Sequence, residues 1–268
     1  MTDASRDNLI LREERGDVVL LTLNRSASLN SLTPELIDEL THHVAEAENS
    51  DHIRVIVITG AGRGFCAGQD LALVGGNPAQ PIDASLIRSY LDDHYLPLAR
   101  MLHRGRCLVI AAVNGVAAGA GFSLALAADI RLAAPEAQFI QAFARIGLVP
   151  DAGGSYFLSR IVGPARACEL SLLAQPIPAD QAHALGIVSE IVPEGRLLDR
   201  AWELATALAR GPLSLEYIKE LFLDALHADF EAQLTKESIL QERAALSSDF
   251  REGVQAFLEK RPAVFHRK

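Results

Sequence analysis

The sequence predicts an α/β fold, and three observations point to it. Two runs rich in β-branched residues, "DVVLLTLNR" (17–25) and "IRVIVITGAG" (53–62), end in turn formers and read as buried strands. Between them, "TPELIDELTHHVAEAEN" puts Leu36, Ile37, Leu40 and Val44 on one helical face, behind Thr33 as N-cap and Pro34 in the first turn. A further strand-like run, "LVIAAVNGVAAGAG" (108–121), then leads through small residues into "FSLALAADI" (122–130), a short helix. Such alternation is the pattern of an α/β domain.

The remaining elements follow in order. "IRLAA" (130–134) and "GIVSEIV" (186–192) read as strands. From about Pro193 the pattern turns helical, in "RLLDRAWELATALAR", "LSLEYIKELFLDAL", "DFEAQLTKESILQERAALS" and "DFREGVQAFLEKR". Glycine and proline cluster in "VGGNPAQPID", Val74–Asp83, which reads as a mobile loop placed to cap a pocket. No fixed-period repeat or low-complexity tract interrupts the chain.

Composition narrows the function. The chain of 268 residues carries 49% hydrophobic residues, enough for a substantial core, and a formal charge of −9, which does not favour nucleic acid as a partner. Cys66, Cys107 and Cys168 are far apart and form no CxxC pair, so neither a zinc site nor a redox motif is expected. The polar start "MTDASRDNLILREERGD" lacks a signal-peptide core, and no run reads as a membrane span. A soluble cytoplasmic protein is the expectation.

Candidate chemistry begins with the glycines. "GAGRGFCAGQD" follows a strand, but Gly60 and Gly62 are followed by Phe65 where a dinucleotide fingerprint needs glycine. No phosphate-binding loop, HExxH or GxSxG is present. "FCAGQD" and "AAGAGF" are both tight small-residue turns after strands. Such turns free backbone N–H groups, and two aimed at one point make an oxyanion hole; taken singly they are ordinary turns. His42 and His43 lie on a charged helix with no partner at ligand spacing and read as solvated surface. Asp151, in "RIGLVPDAGGS", reads locally either as a turn or N-cap carboxylate or as an active-site base.

As a set, "NRSASLNSL", "GRGFCAGQDL", "AAVNGVAAGAG", "IRLAAPEAQF", "IGLVPDAGGS" and "REGVQAFLEKR" resemble the crotonase, or enoyl-CoA hydratase/isomerase, superfamily from about Ile10 onward. The resemblance implies a crotonase-like spiral of β-β-α units over residues 1–195, holding an acyl-CoA site. A C-terminal helical trimerisation region, 196–268, would follow. It implies a homotrimer or hexamer acting on acyl-CoA thioesters. No metal or redox cofactor is implied, since coenzyme A arrives as part of the substrate.

Residue by residue, the resemblance makes the backbone N–H groups of Gln69 and Ala120 the oxyanion hole. It sets the coenzyme A against Ala27, Ser28 and Leu29 in one turn and Ala67, Asp70 and Leu71 in another. Phe257 and Lys260 match residues that help hold CoA, often across a subunit boundary. The departures carry as much information. Ser123 and Phe143 stand where the hydratases of the family carry glutamates, while Asp151 matches a carboxylate found in isomerases and in an aryl-CoA dehalogenase. The expected function is therefore an isomerase that shifts a double bond or rearranges a ring epoxide, with Asp151 as its single acid/base. Three other readings stand beside it: a hydratase-like enzyme, an aryl-CoA dehalogenase or hydrolase with Asp151 as nucleophile, and a non-catalytic acyl-CoA binder.

Overall fold

A computed structural model describes residues 8–71 and 84–267. The predicted loop at 74–83 lies outside the described residues. The chain opens with an antiparallel pair, β1 (Ile10–Arg15) and β2 (Val18–Leu23), and continues through α1 (Pro34–Asn49) to β3 (Val55–Gly60) and β4 (Gly64–Cys66). Thr33 caps α1 as predicted, accepting from the Leu36 N–H at 3.3 Å. Next come α2 (Ala84–Tyr90), a π-helical turn at Leu91–Tyr95 and α3 (Leu96–Arg104).

The π turn has a local cause. Pro97 sits one residue inside α3 and has no N–H with which to continue an α-helical ladder. The chain widens just ahead of it, and the Leu96 N–H reaches back five residues to the Leu91 carbonyl. Tyr95, at the end of that turn, faces inward and is buried with Leu98 and Leu102.

Two β-β-α units follow: β5 (Leu108–Val113), β6 (Val116–Ala118) and α4 (Ala120–Leu126), then β7 (Ile130–Ala133) and β8 (Gln138–Ile140) with α5 (Gly154–Val162). In each unit the first strand joins one sheet and the second strand another. The larger sheet runs β1-β2-β3-β5-β7-β10 and is parallel from β2 onward; the smaller runs β4-β6-β8-β9. The strands β9 (Ile177–Pro178) and β10 (Glu190–Ile191) are edge pairings of two residues each, flanked by α6 (Pro164–Leu173) and α7 (Ala179–Ala184). This is the spiral that the sequence led one to expect. One detail differs: "LVIAAVNGVAAGAG" is two strands in different sheets. Asn114-Gly115 turns the chain between them, where a Cβ on Gly115 would lie 2.1 Å from the Arg63 carbonyl.

Strand alternation divides the core. Val19, Leu21, Ile56, Ile58, Val109 and Val113 pack toward α1 and the smaller sheet. Val18, Leu20, Val55, Val57, Leu108 and Ile110 pack on the opposite face against Ala201, Ala205 and Ala209 of α8 (Leu197–Ala209). Three further helices, α9 (Ser214–Asp224), α10 (Phe230–Leu246) and α11 (Ser248–Glu259), complete the chain within a few residues of the predicted bounds. Among the described residues no helix is long and apolar enough to cross a membrane.

Candidate active site

Backbone packing at the ends of β4 and β6 brings the two small-residue turns of the candidate site together. A Cβ on Gly68 would lie 2.7 Å from the Ala118 carbonyl and 3.4 Å from the Ala120 nitrogen. A Cβ on Gly121 would lie 2.2 Å from the Cys66 carbonyl. Only glycine permits this approach, which sets the main chain of Gln69 beside that of Ala120. Gly119, at φ 52°, turns the chain into α4, so the Ala120 N–H falls in the first turn, where no helical acceptor exists. Gln69 forms an isolated parallel bridge with Leu32. The Leu32 N–H donates to Gly68 at 2.8 Å and the Asp70 N–H to Leu32 at 2.9 Å. In such a bridge those bonds bracket Gln69 and leave its own N–H on the opposite side.

A small apolar cavity opens beside this turn, lined by Ala120, Ala152, Leu32, Leu98, Leu124 and Tyr95, among others. Asp151 stands just ahead of α5, next to the lining residue Ala152. The turn is tightly specified: Ala152 and Gly153 both have positive φ, 48° and 84°, and the Gly154 N–H donates to the Asp151 carbonyl at 2.8 Å. The Asp151 carboxylate does not cap the helix. Its N-cap is Gly153, and the buried Oδ1 of Asp151 has no hydrogen-bond partner. Burial pushes the Asp151 carboxyl up to about 6. The geometry removes the N-cap role for this residue, while its place in a turn stands.

The two positions that lack glutamate are filled by other means. Ser123 is fully buried, and its hydroxyl donates to the Gly119 carbonyl at 3.4 Å. The Phe143 ring tip comes within 3.9 Å of where a Gly119 Cβ would stand. Gln141 is 1% exposed, yet neither polar atom of its amide has a partner. Cys66, behind the turn, is held as a neutral thiol, since burial pushes it up to about 12.

The predicted CoA-contacting turns meet. Ser26–Ser28 form a short 3-10 turn with Leu29 left-handed, and the Ala67 N–H donates to the Leu29 carbonyl at 2.9 Å. Asp70 pairs with Arg25 at 2.9 Å, and Leu71 is exposed. No described hydrogen bond, ion pair or ring contact joins Phe257 or Lys260 to this group. Both lie at the end of α11, with Phe257 82% exposed and Lys260 the left-handed C-cap. The sequence did not single out Tyr95 or Gln141; nothing in the spacing of "SYLDDHYLPL" sets Tyr95 apart. His42 is exposed as expected, but His43 is half-buried and bonded to Glu46 at 3.2 Å.

Comparison with known proteins places this architecture. The family model "Enoyl-CoA hydratase/isomerase" matches residues 13–268. The chain belongs to the enoyl-CoA hydratase/isomerase family. It is 43% identical to the 1,2-epoxyphenylacetyl-CoA isomerase of Escherichia coli over 96% of this chain and 97% of that one. It is 44% identical to a Rhodobacter capsulatus protein that bears the name "Probable enoyl-CoA hydratase", over 92% and 94%. The crystal structure of an enoyl-CoA hydratase from Bacillus anthracis superposes with a TM-score of 0.91 at 31% identity, covering 97% of this family member and all of that chain.

Proposed function

We propose that this enoyl-CoA hydratase/isomerase family member is an acyl-CoA isomerase with Asp151 as its single acid/base. The observation that carries the reading is the Asp151 carboxyl, whose buried Oδ1 has no partner, which neighbours the cavity-lining Ala152 and which is raised to about 6. A carboxylate so placed is basic enough to remove a carbon-bound proton and acidic enough to give it back. On a 3-enoyl thioester, Asp151 breaks the C–H bond at C2 and the electron pair moves through the thioester to its oxygen. The N–H groups of Gln69 and Ala120 hold that enolate oxygen. Asp151 then returns the proton at C4, and the double bond ends at C2–C3. A ring epoxide beside the same carbon, as in the substrate for which the Escherichia coli relative is named, is the second substrate class in this reading.

Hydration needs water activated at one carbon and a proton delivered at its neighbour, and Ser123 and Phe143 supply neither an acid nor a base. The turns at Ala27–Leu29 and Ala67–Leu71 are the coenzyme A platform in this reading. Exposed apolar side chains on the last helices, Phe222, Phe230, Leu246 and Phe257, support self-association as a homotrimer or hexamer. That would bring Phe257 and Lys260 to a neighbour's CoA.

The test is an ultraviolet assay with a 3-enoyl-CoA and a 2-enoyl-CoA, run beside Asp151→Asn. Isomerisation without hydration, reduced about 10³-fold in the variant, is expected. Hydration by the unmodified protein, or an unimpaired variant, overturns the reading.

A further inference from the structure

We propose that Tyr95 is a positioning residue for the Gln69 N–H, tying the wall of the acyl cavity to the group that polarises the thioester. The proposal rests on the reading that this N–H faces the substrate oxygen. Tyr95 lines the apolar cavity among aliphatic side chains, and its hydroxyl donates to Gln69 Oε1. The other end of the same amide is also held: Gln69 Nε2 donates to the Tyr90 hydroxyl at 3.2 Å. The two tyrosine rings lie 5.6 Å apart at 55°. One helical segment thus holds the whole Gln69 side chain, while the Leu32 bridge holds its backbone from the other side.

The arrangement suits a donor that has to be stiff. A hydrogen-bond donor stabilises a developing oxyanion only where its direction is fixed before the charge forms. The Gln69 peptide lies in a short bridge rather than a long ladder, so its direction depends on the side-chain anchor. Burial first, then the neighbouring Tyr90 and the charge of Asp151, hold the Tyr95 phenol far above its ordinary range. It therefore stays a neutral donor at any working pH. The π turn is what delivers it. An α-helical turn of the same sequence has a different twist per residue and would set Tyr95 at another angle about the helix axis, carrying the hydroxyl away from Gln69.

Tyr95→Phe keeps the ring and removes only the hydroxyl, and Gln69→Met keeps the length and removes the amide. Both variants and their double are assayed with 3-hexenoyl-CoA. The infrared carbonyl stretch of bound, carbon-13-labelled hexanoyl-CoA, which does not react, is measured in parallel. Each single variant should lower kcat about tenfold with KM within about twofold, a fraction of what losing a whole oxyanion donor costs. Each should shrink the carbonyl downshift, and the double should match either single. Multiplying losses, or an unchanged kcat and carbonyl shift in Tyr95→Phe, would overturn the proposal, as would an unmodified protein that binds the thioester without shifting its carbonyl. If that protein shifts the carbonyl yet does not isomerise 3-hexenoyl-CoA, the isomerase reading fails, and the carbonyl shift in Tyr95→Phe alone decides the role of Tyr95.

Discussion

Two aspartates in different regions bury a carboxylate oxygen, and the fold treats them in opposite ways. Asp249, at the start of α11, is 3% exposed. It accepts from the Leu213 N–H at 2.8 Å and from the His266 and Arg267 N–H groups at 2.9 Å. It fastens the end of the chain to the helical region, helped by Arg267, which pairs with Glu216 at 3.0 Å. Asp151 has a buried oxygen with no partner at all and is held only by the turn it sits on. A fully hydrogen-bonded carboxylate is a fastener; one left bare and destabilised as an anion is equipped to exchange a proton. Burial by itself does not distinguish them, whereas the partners do.

The largest effect that would break this comparison is at the fastener. Asp249→Ala takes the acceptor from three partly buried backbone donors at once, so chemical denaturation should show a loss of about 3–4 kcal/mol. A loss below about 1 kcal/mol would mean that water or the chain end rearranges to serve those donors.

The site carboxylate should behave in the reverse sense. The Asp151 carboxyl is raised from 3.8 to about 6, so the folded state holds its proton more tightly than the unfolded chain. Its stabilising contribution is complete below about 3.8 and is lost as pH rises through about 6. The two values differ by about two pH units, or roughly 3 kcal/mol. Asp151→Asn should remove that slope and leave the protein more stable than the parent at pH 8, even as its activity disappears. In the parent, the isomerase rate should rise with pH through about 6, as the base ionises. Parallel stability profiles for parent and variant would show that Asp151 is not destabilised as an anion.

The smallest effect concerns the turn. Ala152 stands at φ 48°, which costs a side-chain-bearing residue about 1–2 kcal/mol. Glycine there relieves that strain but adds about 0.4–1 kcal/mol of unfolded-chain entropy. Ala152→Gly should therefore change stability by no more than about 1 kcal/mol, while slowing turnover several-fold because Asp151 is held less firmly. Equal turnover would show that the cavity walls, and not the turn, aim the carboxylate.

Much of the scaffold was legible in the residues. The buried strands at Val18–Leu23 and Val55–Gly60, the capped α1 and the four C-terminal helices carry strong periodicity and clear end signals. β1 was not legible: "ILREER" is an edge strand whose charged residues face solvent, so it lacks the apolar run that marks its neighbours. The segment 84–104 escaped because a π turn and a proline break its helical period, and α6 and α7 are too short and too exposed to show a stripe. At the site, the proximity of "FCAGQD" and "GAG" follows from glycines that allow two main chains to touch, and sequence supplies that as a family pattern rather than as a distance. Asp151 stood out in the sequence, but the lack of partners that defines its chemistry is a property of the fold. Tyr95 and Gln141 had no signal at all, since what marks them is the company they keep across the chain.

The close contact at Gly68 and Gly121 has a consequence for how such a protein changes over time. In the proposed reading both donors belong to the main chain, so a side-chain change at position 120 leaves its N–H in place, whereas a change at position 69 keeps the N–H but gives up the tyrosine-held amide that aims it. The chamber wall is therefore freer to vary at position 120 than at position 69, where side chain and donor are tied together, and a designer working on this chain meets the same asymmetry.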